Sequence, residues 1–122
     1  MKSNDTGIKR ILKAFCYSYD GFIATFKSEA AFRQDLLFCL VMGLILFWLP
    51  VQGAALALLI FSLFLILLME LVNTAIEAVV DRVGAEYHPL SKKAKDIGSL
   101  LVLLAFIYWA VTWGIIVLPV LF

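Results

Sequence analysis

The chain has 122 residues, of which 64% are hydrophobic and only 16% are charged. An average soluble domain has about 45–50% apolar and about 25% charged residues, so this composition excludes a disordered chain and disfavours a soluble globule. The length allows one domain, and the net charge of +1 gives no reason to expect a polyanionic partner such as nucleic acid. The two cysteines, Cys16 and Cys39, lack metal-site spacing and are interpreted as small buried hydrophobic side chains.

The N-terminal segment predicts a surface helix over about residues 5–28. Apolar residues recur at helical spacing from Ile8 to Phe26, with basic residues such as Lys9 and Lys13 between them. This pattern is typical of a basic amphipathic helix that lies in the headgroup plane of a membrane. The segment has no compact apolar stretch followed by a small-residue cleavage site, so a signal peptide is not expected.

Two charge-free stretches predict three membrane-spanning helices. No Asp, Glu, Lys or Arg occurs over residues 36–69 or over residues 97–122, and a helix needs roughly 20 apolar residues to cross a bilayer core. Pro50 and Gly53 mark a turn that divides the first stretch. Together with the surface helix, these spans predict an all-α membrane protein with one domain over the whole chain, 1–122. The predicted membrane helices cover about residues 30–49, 54–83 and 91–118.

The basic residues predict the orientation of the chain. Lys and Arg occur before or at the start of the first membrane helix, and again between the second and third. Three crossings place both groups on one side, which the positive-inside rule makes cytoplasmic. The N-terminus is therefore expected in the cytoplasm and the C-terminus on the outer side. Trp48 and Trp113 are expected in an aromatic belt near the outer interface.

The second membrane helix ends in a stripe of polar side chains. Glu70, Asn73, Glu77 and Asp81 are spaced by 3, 4 and 4 residues, which puts them on one face of a helix. Like charges at this spacing repel, so a cation, a basic side chain or a proton must compensate. Counting about 20 residues from the outer turn places Glu70 just inside the hydrocarbon edge and the other acids in the cytoplasmic interface.

The starts of the first and third membrane helices bring further polar residues to the same depth. Ionisable groups inside a membrane are costly and mark a function by default, although a solvated acidic helix end would also explain the stripe alone. Paired carboxylates suggest Mg²⁺ with phosphates, a desolvated carboxylate suggests a general base, and a nearby lysine suggests phosphate neutralisation. The combination favours phosphoryl transfer at a lipid headgroup, although no glycine-rich nucleotide motif occurs. The polar residues at the starts of the first and third membrane helices are Glu29, Arg33, Gln34, Asp35, Lys95 and Asp96.

Two other classes of function stay open on this pattern. Acidic residues in a membrane helix are also what a small, oligomeric ion- or proton-conducting protein needs. Against conduction, the outer half of all three predicted helices is apolar. A non-enzymatic interaction subunit would also have apolar helices, but it would have no use for the cluster around Glu29, Lys95 and Asp96.

These residues resemble those of a known family. The block Glu70-Leu71-Val72-Asn73-Thr74-Ala75-Ile76-Glu77 with Asp81, followed by Lys92-Lys93-Ala94-Lys95-Asp96, is similar to the signature of the bacterial integral-membrane diacylglycerol kinases. Glu29-Ala30-Ala31-Phe32-Arg33-Gln34 matches that family's first membrane helix, and the resemblance covers essentially the whole chain. It implies a homotrimeric bundle in the bacterial inner membrane, with composite sites between neighbouring chains.

The resemblance also implies roles for single residues. Glu70 is expected to be the base that takes the proton from the lipid hydroxyl, with Asn73 supporting it, and Glu29 and Glu77 are expected to hold the Mg²⁺ that bridges the ATP phosphates. The expected nucleotide contacts are Arg10, Tyr17, Glu29, Glu77, Glu86, Tyr87, His88, Lys95 and Asp96. The expected lipid contacts are Ala14, Ser18, Ala31, Arg33, Gln34, Asp35, Trp48, Glu70, Ser99 and Trp113.

Two branches of this family differ in the lipid alcohol that they phosphorylate, which is diacylglycerol in one and undecaprenol in the other. The catalytic block is shared and does not separate them. Residues 30–34 and the Tyr17-Ser18 pair are more similar to the diacylglycerol branch. The resemblance therefore implies 1,2-diacylglycerol as the substrate, with undecaprenol as the alternative.

Overall fold

The computed structural model describes residues 5–122, and these residues form helices joined by short connections, with no strand among them. The four α-helices are α1 (Gly7–Ser28), α2 (Ala30–Ile45), α3 (Gly53–Val83) and α4 (Pro89–Leu121), and a single 3-10 turn, Leu46–Trp48, extends α2. The all-α prediction is confirmed, and the ends of the predicted helices lie within four residues of the observed ones.

Three of these helical segments are long and apolar enough to cross a membrane, as the charge-free stretches predict. They are Ala30–Trp48 with 19 residues, Gly53–Val83 with 31 and Pro89–Leu121 with 33. At 1.5 Å per residue, the two longer helices measure roughly 45–50 Å, which exceeds the roughly 30 Å thickness of a bilayer core. Both must therefore project beyond the membrane. Their charged ends, which meet at the α3–α4 connection, are the ends that do so.

The core lies where α3 packs against α4 on one side and against α2 on the other. Within this core a side-chain hydrogen bond joins α4 to α3: Trp113 Nε1 donates to Ser62 Oγ at 2.9 Å, and Ser62 Oγ donates to Leu59 O at 2.6 Å. A buried indole N–H needs an acceptor, and Ser62 provides it in an apolar environment. The buried apolar residues are Cys39, Leu59, Leu63, Ile66, Ala105 and Trp113.

Two predictions about burial are wrong. Trp113 was assigned to an aromatic belt from its depth alone, but only 9% of it is exposed, because its indole faces Ser62 rather than the interface. Trp48, on the 3-10 turn, is 79% exposed, as a belt residue should be. Of the two cysteines, Cys39 is buried and donates to Leu63 O at 3.4 Å, whereas Cys16 is exposed because no residue of α1 is buried.

The surface helix α1 is joined to the rest of the fold near its C-terminal end. The Phe22 ring meets the buried Phe32 ring edge-on, with centroids 5.8 Å apart. Arg33 Nη1 donates to Phe26 O at 2.5 Å and to Lys27 O at 3.2 Å. The last carbonyls of a helix lack partners within the helix, so Arg33 of α2 caps α1. Apart from the half-buried Ile23, the remaining apolar side chains of α1 are exposed, which suits a helix lying on a membrane.

We expect Arg33→Ala to loosen α1, because the carbonyls of Phe26 and Lys27 lose their donor. A spin label on the exposed Cys16, in a Cys39→Ala background, should become more mobile on the nanosecond timescale. Gln34→Ala is the control, since this neighbouring exposed side chain makes no hydrogen bond to α1 in the described chain. Identical label mobility in the Arg33 and Gln34 variants would show that the cap does not hold the helix.

Candidate active site at the cytoplasmic end of α3

Solvent exposure increases along the polar stripe of α3, from Glu70 to Asp81. Glu70 is only 5% exposed, Asn73 and Glu77 are half-buried, and Asp81 is exposed. Among the described residues, Glu70 is the only charged residue that is buried. The stripe therefore presents one buried carboxylate at its N-terminal end and an exposed one at its C-terminal end.

One amide serves two of the carboxylates. Asn73 Nδ2 donates to Glu77 Oε1 at 2.8 Å and to Glu70 Oε2 at 3.4 Å. The opposite orientation of the amide would turn its oxygen toward two carboxylates, so this hydrogen-bond network fixes which atom is nitrogen. Asn73 Oδ1 is buried and has no hydrogen-bond partner in the described part of the chain. The amide thus uses its donor side to hold two acids and leaves its acceptor side unpaired.

A second acid faces Glu70 from α2. The half-buried Asp35 carboxyl lies within hydrogen-bonding reach of the Glu70 carboxyl, and its Oδ2 is buried with no donor among residues 5–122. Two carboxyl groups together at low dielectric are unfavourable unless a proton, a cation or a donor from another molecule joins them. The resemblance placed Asp35 among the lipid contacts. The structure brings it directly against Glu70, which depth counting alone did not indicate.

At the exposed end of the stripe, Asp81 pairs with a lysine from α4. Lys95 Nζ lies 2.7 Å from Asp81 Oδ1, and on the same helix Lys92 Nζ lies 2.6 Å from Asp96 Oδ2. Exposed ion pairs of this kind contribute little to stability, because water competes for both partners. Lys95 can therefore leave Asp81 for a stronger anion such as a phosphate at little cost.

The α3–α4 connection and the start of α4 surround a cavity of about 480 Å³. Five of the predicted nucleotide contacts line it together: Glu86, Tyr87, His88, Lys95 and Asp96. The position of His88 is fixed, because its Nδ1 accepts a hydrogen bond from Leu90 N at 3.1 Å and caps α4. The following Pro89, which favours the first position of a helix, is the sequence signal for this cap.

The other predicted nucleotide contacts are not part of that cavity wall. Arg10 and Tyr17 are exposed on α1, and Glu29 is half-buried in the extended joint between α1 and α2. Glu77 lies one turn deeper than Asp81 on the stripe. Among the predicted lipid contacts, Ala14, Ser18, Ala31, Arg33, Gln34 and Ser99 are exposed. A single chain thus assembles the acidic pair, the amide and the cavity, and leaves the contributions of α1 apart from them.

The carboxylates suit a hard cation by their chemistry. No group of three or more His, Cys, Asp or Glu side chains that could hold a metal occurs within residues 5–122. Mg²⁺ is nevertheless commonly bound by one or two carboxylates together with substrate phosphates and water. Glu77, half-buried and hydrogen-bonded to the Asn73 amide, has oxygens of this kind, and Glu29 is a half-buried carboxylate in the joint between α1 and α2.

Comparison with known proteins places this arrangement in a family. The family described as prokaryotic diacylglycerol kinase matches residues 16–117. The diacylglycerol kinase of Escherichia coli K12 is 48% identical over 116 residues, covering 95% of both chains. That of Pseudomonas aeruginosa is 50% identical over 113 residues, covering 93% of this chain and 92% of the relative, and that of Haemophilus influenzae is 37% identical over 109 residues, covering 89% and 92%. This chain therefore belongs to the prokaryotic diacylglycerol kinase family.

Proposed function

We propose that this protein transfers the γ-phosphoryl group of ATP to the free hydroxyl of 1,2-diacylglycerol, giving phosphatidic acid at the cytoplasmic face of the inner membrane. The observation that carries this proposal is the buried Glu70 carboxyl at the membrane edge, between an apolar groove on one side and the polar cavity of the α3–α4 connection on the other. A base in this place can meet a lipid from the bilayer and a phosphate from the cytoplasm.

The apolar groove supports a lipid as the phosphoryl acceptor. It lies between α2 and α3 and has a volume of about 410 Å³. Leu36, at its inner end, directly follows Asp35, and Leu67 lies one turn before Glu70 on the same face of α3. An acyl chain in this groove would have its glycerol end beside the two carboxyl groups. The groove is lined by Leu36, Cys39, Leu40, Gly43, Leu46, Phe47, Leu56, Ile60, Leu63, Phe64 and Leu67.

In the proposed reaction Glu70 accepts the proton of the lipid hydroxyl while the hydroxyl oxygen forms a bond to the γ-phosphorus. The bond from that phosphorus to the β–γ bridging oxygen breaks, and ADP leaves with the electron pair. Most of the catalysis in phosphoryl transfer comes from positioning and charge neutralisation. Asn73 positions Glu70 through its amide, and it is a positioning residue rather than a catalytic one.

The nucleotide would occupy the cavity of the α3–α4 connection. Lys95 would exchange Asp81 for a phosphate oxygen, and Tyr87 and His88 would contact the rest of the nucleotide from the connecting turn. Mg²⁺, when bound with ATP, neutralises phosphate charge and orients the transferred group. Glu29 and Glu77 are the residues that we propose to hold it. Arg10 and Tyr17 would approach the nucleotide from the surface helix.

We further propose that the working form is a homotrimer with sites shared between chains. In one chain the Asp35–Glu70 pair lacks a neutralising partner in the described residues, and α1 buries no side chain. A neighbouring chain can supply polar partners to this carboxyl pair. It can also shield the pair from lipid, which cannot form hydrogen bonds with it. The distribution of lysine and arginine supports a cytoplasmic N-terminus and an outer C-terminus.

The structure supports ion conduction less well than it supports lipid phosphorylation. Only two polar side chains are buried in the outer half of the described bundle, Ser62 and Thr112, and Ser62 is engaged by Trp113. A conducting path needs polar groups along its whole length. The acids instead gather at one end of α3.

The lipid substrate is tested by transfer of labelled γ-phosphate from ATP in mixed micelles containing either diacylglycerol or undecaprenol. We expect diacylglycerol to be labelled and undecaprenol to be labelled far more slowly. Preferential labelling of undecaprenol would assign the protein to the other branch. Labelling of neither lipid would contradict a lipid kinase.

Glu70→Gln keeps the shape of the side chain and removes the base. We expect turnover to fall by about 10²–10⁴-fold, the usual contribution of general-base catalysis, while the protein still folds and binds ATP. Asp20→Asn, which removes an exposed acid of α1 without an assigned role, should keep normal turnover. Near-normal turnover of the Glu70 variant, or a loss of activity that merely follows a loss of thermal stability, would exclude Glu70 as the base.

Lys95→Ala removes the proposed phosphate contact. Since a hydrogen bond to a charged group contributes enough for roughly a tenfold change in affinity, the apparent KM for ATP should rise by about tenfold or more. Lys93→Ala, two residues away on the same exposed turn, is the matched control and should leave ATP saturation unchanged. Identical ATP saturation curves for the two variants would remove Lys95 from the nucleotide site.

A further inference from the structure

Helices α3 and α4 come unusually close beside the acidic stripe. Gly98 of α4 is buried, and a Cβ atom added there would overlap Asn73 Oδ1 and would lie 3.3 Å from Asn73 Cγ and 3.5 Å from Asn73 Cα. At each of the other six glycines of the chain, an added Cβ would meet nothing within 4 Å. Gly98 is thus the one glycine whose missing side chain leaves room for a particular neighbour, and that neighbour is Asn73.

We propose that Gly98 is a positioning residue for the reaction: the space beside its Cα is what allows the Asn73 amide to reach Glu70 and Glu77 together. The proposal rests on the proposed function insofar as Glu70 is taken to be the base. The resemblance assigned no role to Gly98.

The geometry explains why this contact should affect the site more than the fold. The contact to Asn73 Cα, at 3.5 Å, is ordinary van der Waals contact, so an alanine at position 98 does not require the two helix backbones to separate. The overlap is with the end of the Asn73 side chain, which can turn away. Turning the amide moves Nδ2 as well as Oδ1, and Nδ2 is the atom that holds both carboxylates.

The unpaired oxygen of Asn73 strengthens the inference. Oδ1 is buried and has no hydrogen-bond partner in the described chain, so no other interaction of that atom would pull the amide back into place. The amide keeps its position through its two bonds to carboxylates and through the space at Gly98. Once the amide turns, Glu70 and Glu77 lose their shared donor and their repulsion is no longer relieved.

A general packing role is the competing explanation for a small residue between membrane helices. Gly98→Ala would then lower thermal stability and would disturb many side chains along α3 and α4. It would not change the Asn73 amide selectively. The two explanations therefore differ in an observable that does not depend on activity.

The sequence makes that observable accessible. The chain contains only two asparagines, Asn4 and Asn73. Full-length protein labelled with ¹⁵N-asparagine, in detergent micelles, should give two pairs of side-chain amide signals, and Asn73→Ala identifies the pair that belongs to Asn73. We expect Gly98→Ala to move that pair and to speed its exchange with water. Gly114→Ala, on the same helix with nothing within 4 Å of the added Cβ, should leave it in place.

Turnover measured on the same samples tests the consequence. We expect Gly98→Ala to lower kcat by about tenfold or more, the effect of losing one hydrogen bond to a charged group. Gly114→Ala should keep the wild-type kcat.

Each outcome decides a separate point. An Asn73 signal that stays in place in Gly98→Ala would overturn the proposal, whatever happens to activity. A displaced signal with normal kcat would show that the amide does not position the carboxylates. If the wild-type protein phosphorylated neither lipid, the proposed function would fail, and with it the catalytic meaning of the contact, while the amide signal would still report whether Gly98 sets the Asn73 position.

Discussion

Acidic side chains in a membrane protein must find partners, and this requirement organises the half of the molecule around the α3–α4 connection. Asn73 provides one donor group for both Glu70 and Glu77. In our proposal, that amide has room between them because α4 presents Gly98, which has no side chain, beside it. Asp35 then meets Glu70 from α2 without a donor of its own in residues 5–122. The arrangement is incomplete in one chain, as a site that receives a substrate, a cation and a neighbouring subunit would be.

The outer half of the bundle meets a different requirement. Its core is apolar apart from Thr112 and the Ser62–Trp113 hydrogen bond, so it can hold α3 and α4 together without any titratable group. Both long helices run through the two halves: each is longer than a bilayer core is thick, and the stripe lies toward the C-terminal end of α3. A rigid apolar support thus carries a polar site at one end. This division fits an enzyme acting at one interface better than a path across the membrane.

Most of the fold was predictable because the positions of charged residues and the lengths of apolar stretches are read directly along the sequence. Helix number, helix ends and the shared face of Glu70, Asn73 and Glu77 follow directly from spacing. Side-chain contacts that depend on which face of a helix its neighbour covers were not predictable. Trp113 turned inward to Ser62, and the Asp35–Glu70 contact and the place of Gly98 exist only once α2 and α4 dock on α3. Hydropathy carries no information about which of several apolar faces will meet.

The central claim is that the polar stripe opens to the cytoplasm alone, and labelling of α3 from each side of the membrane tests it most directly. In a chain without its native cysteines, a membrane-impermeant maleimide would be applied to inside-out and right-side-out vesicles carrying Ala78→Cys, Leu68→Cys or Gln52→Cys, all at exposed positions of the isolated chain. A one-sided site predicts labelling of position 78 only from the cytoplasmic side, of position 52 only from the outer side, and of position 68 from neither. Labelling of position 68, or of position 78 from the outer side, would contradict it.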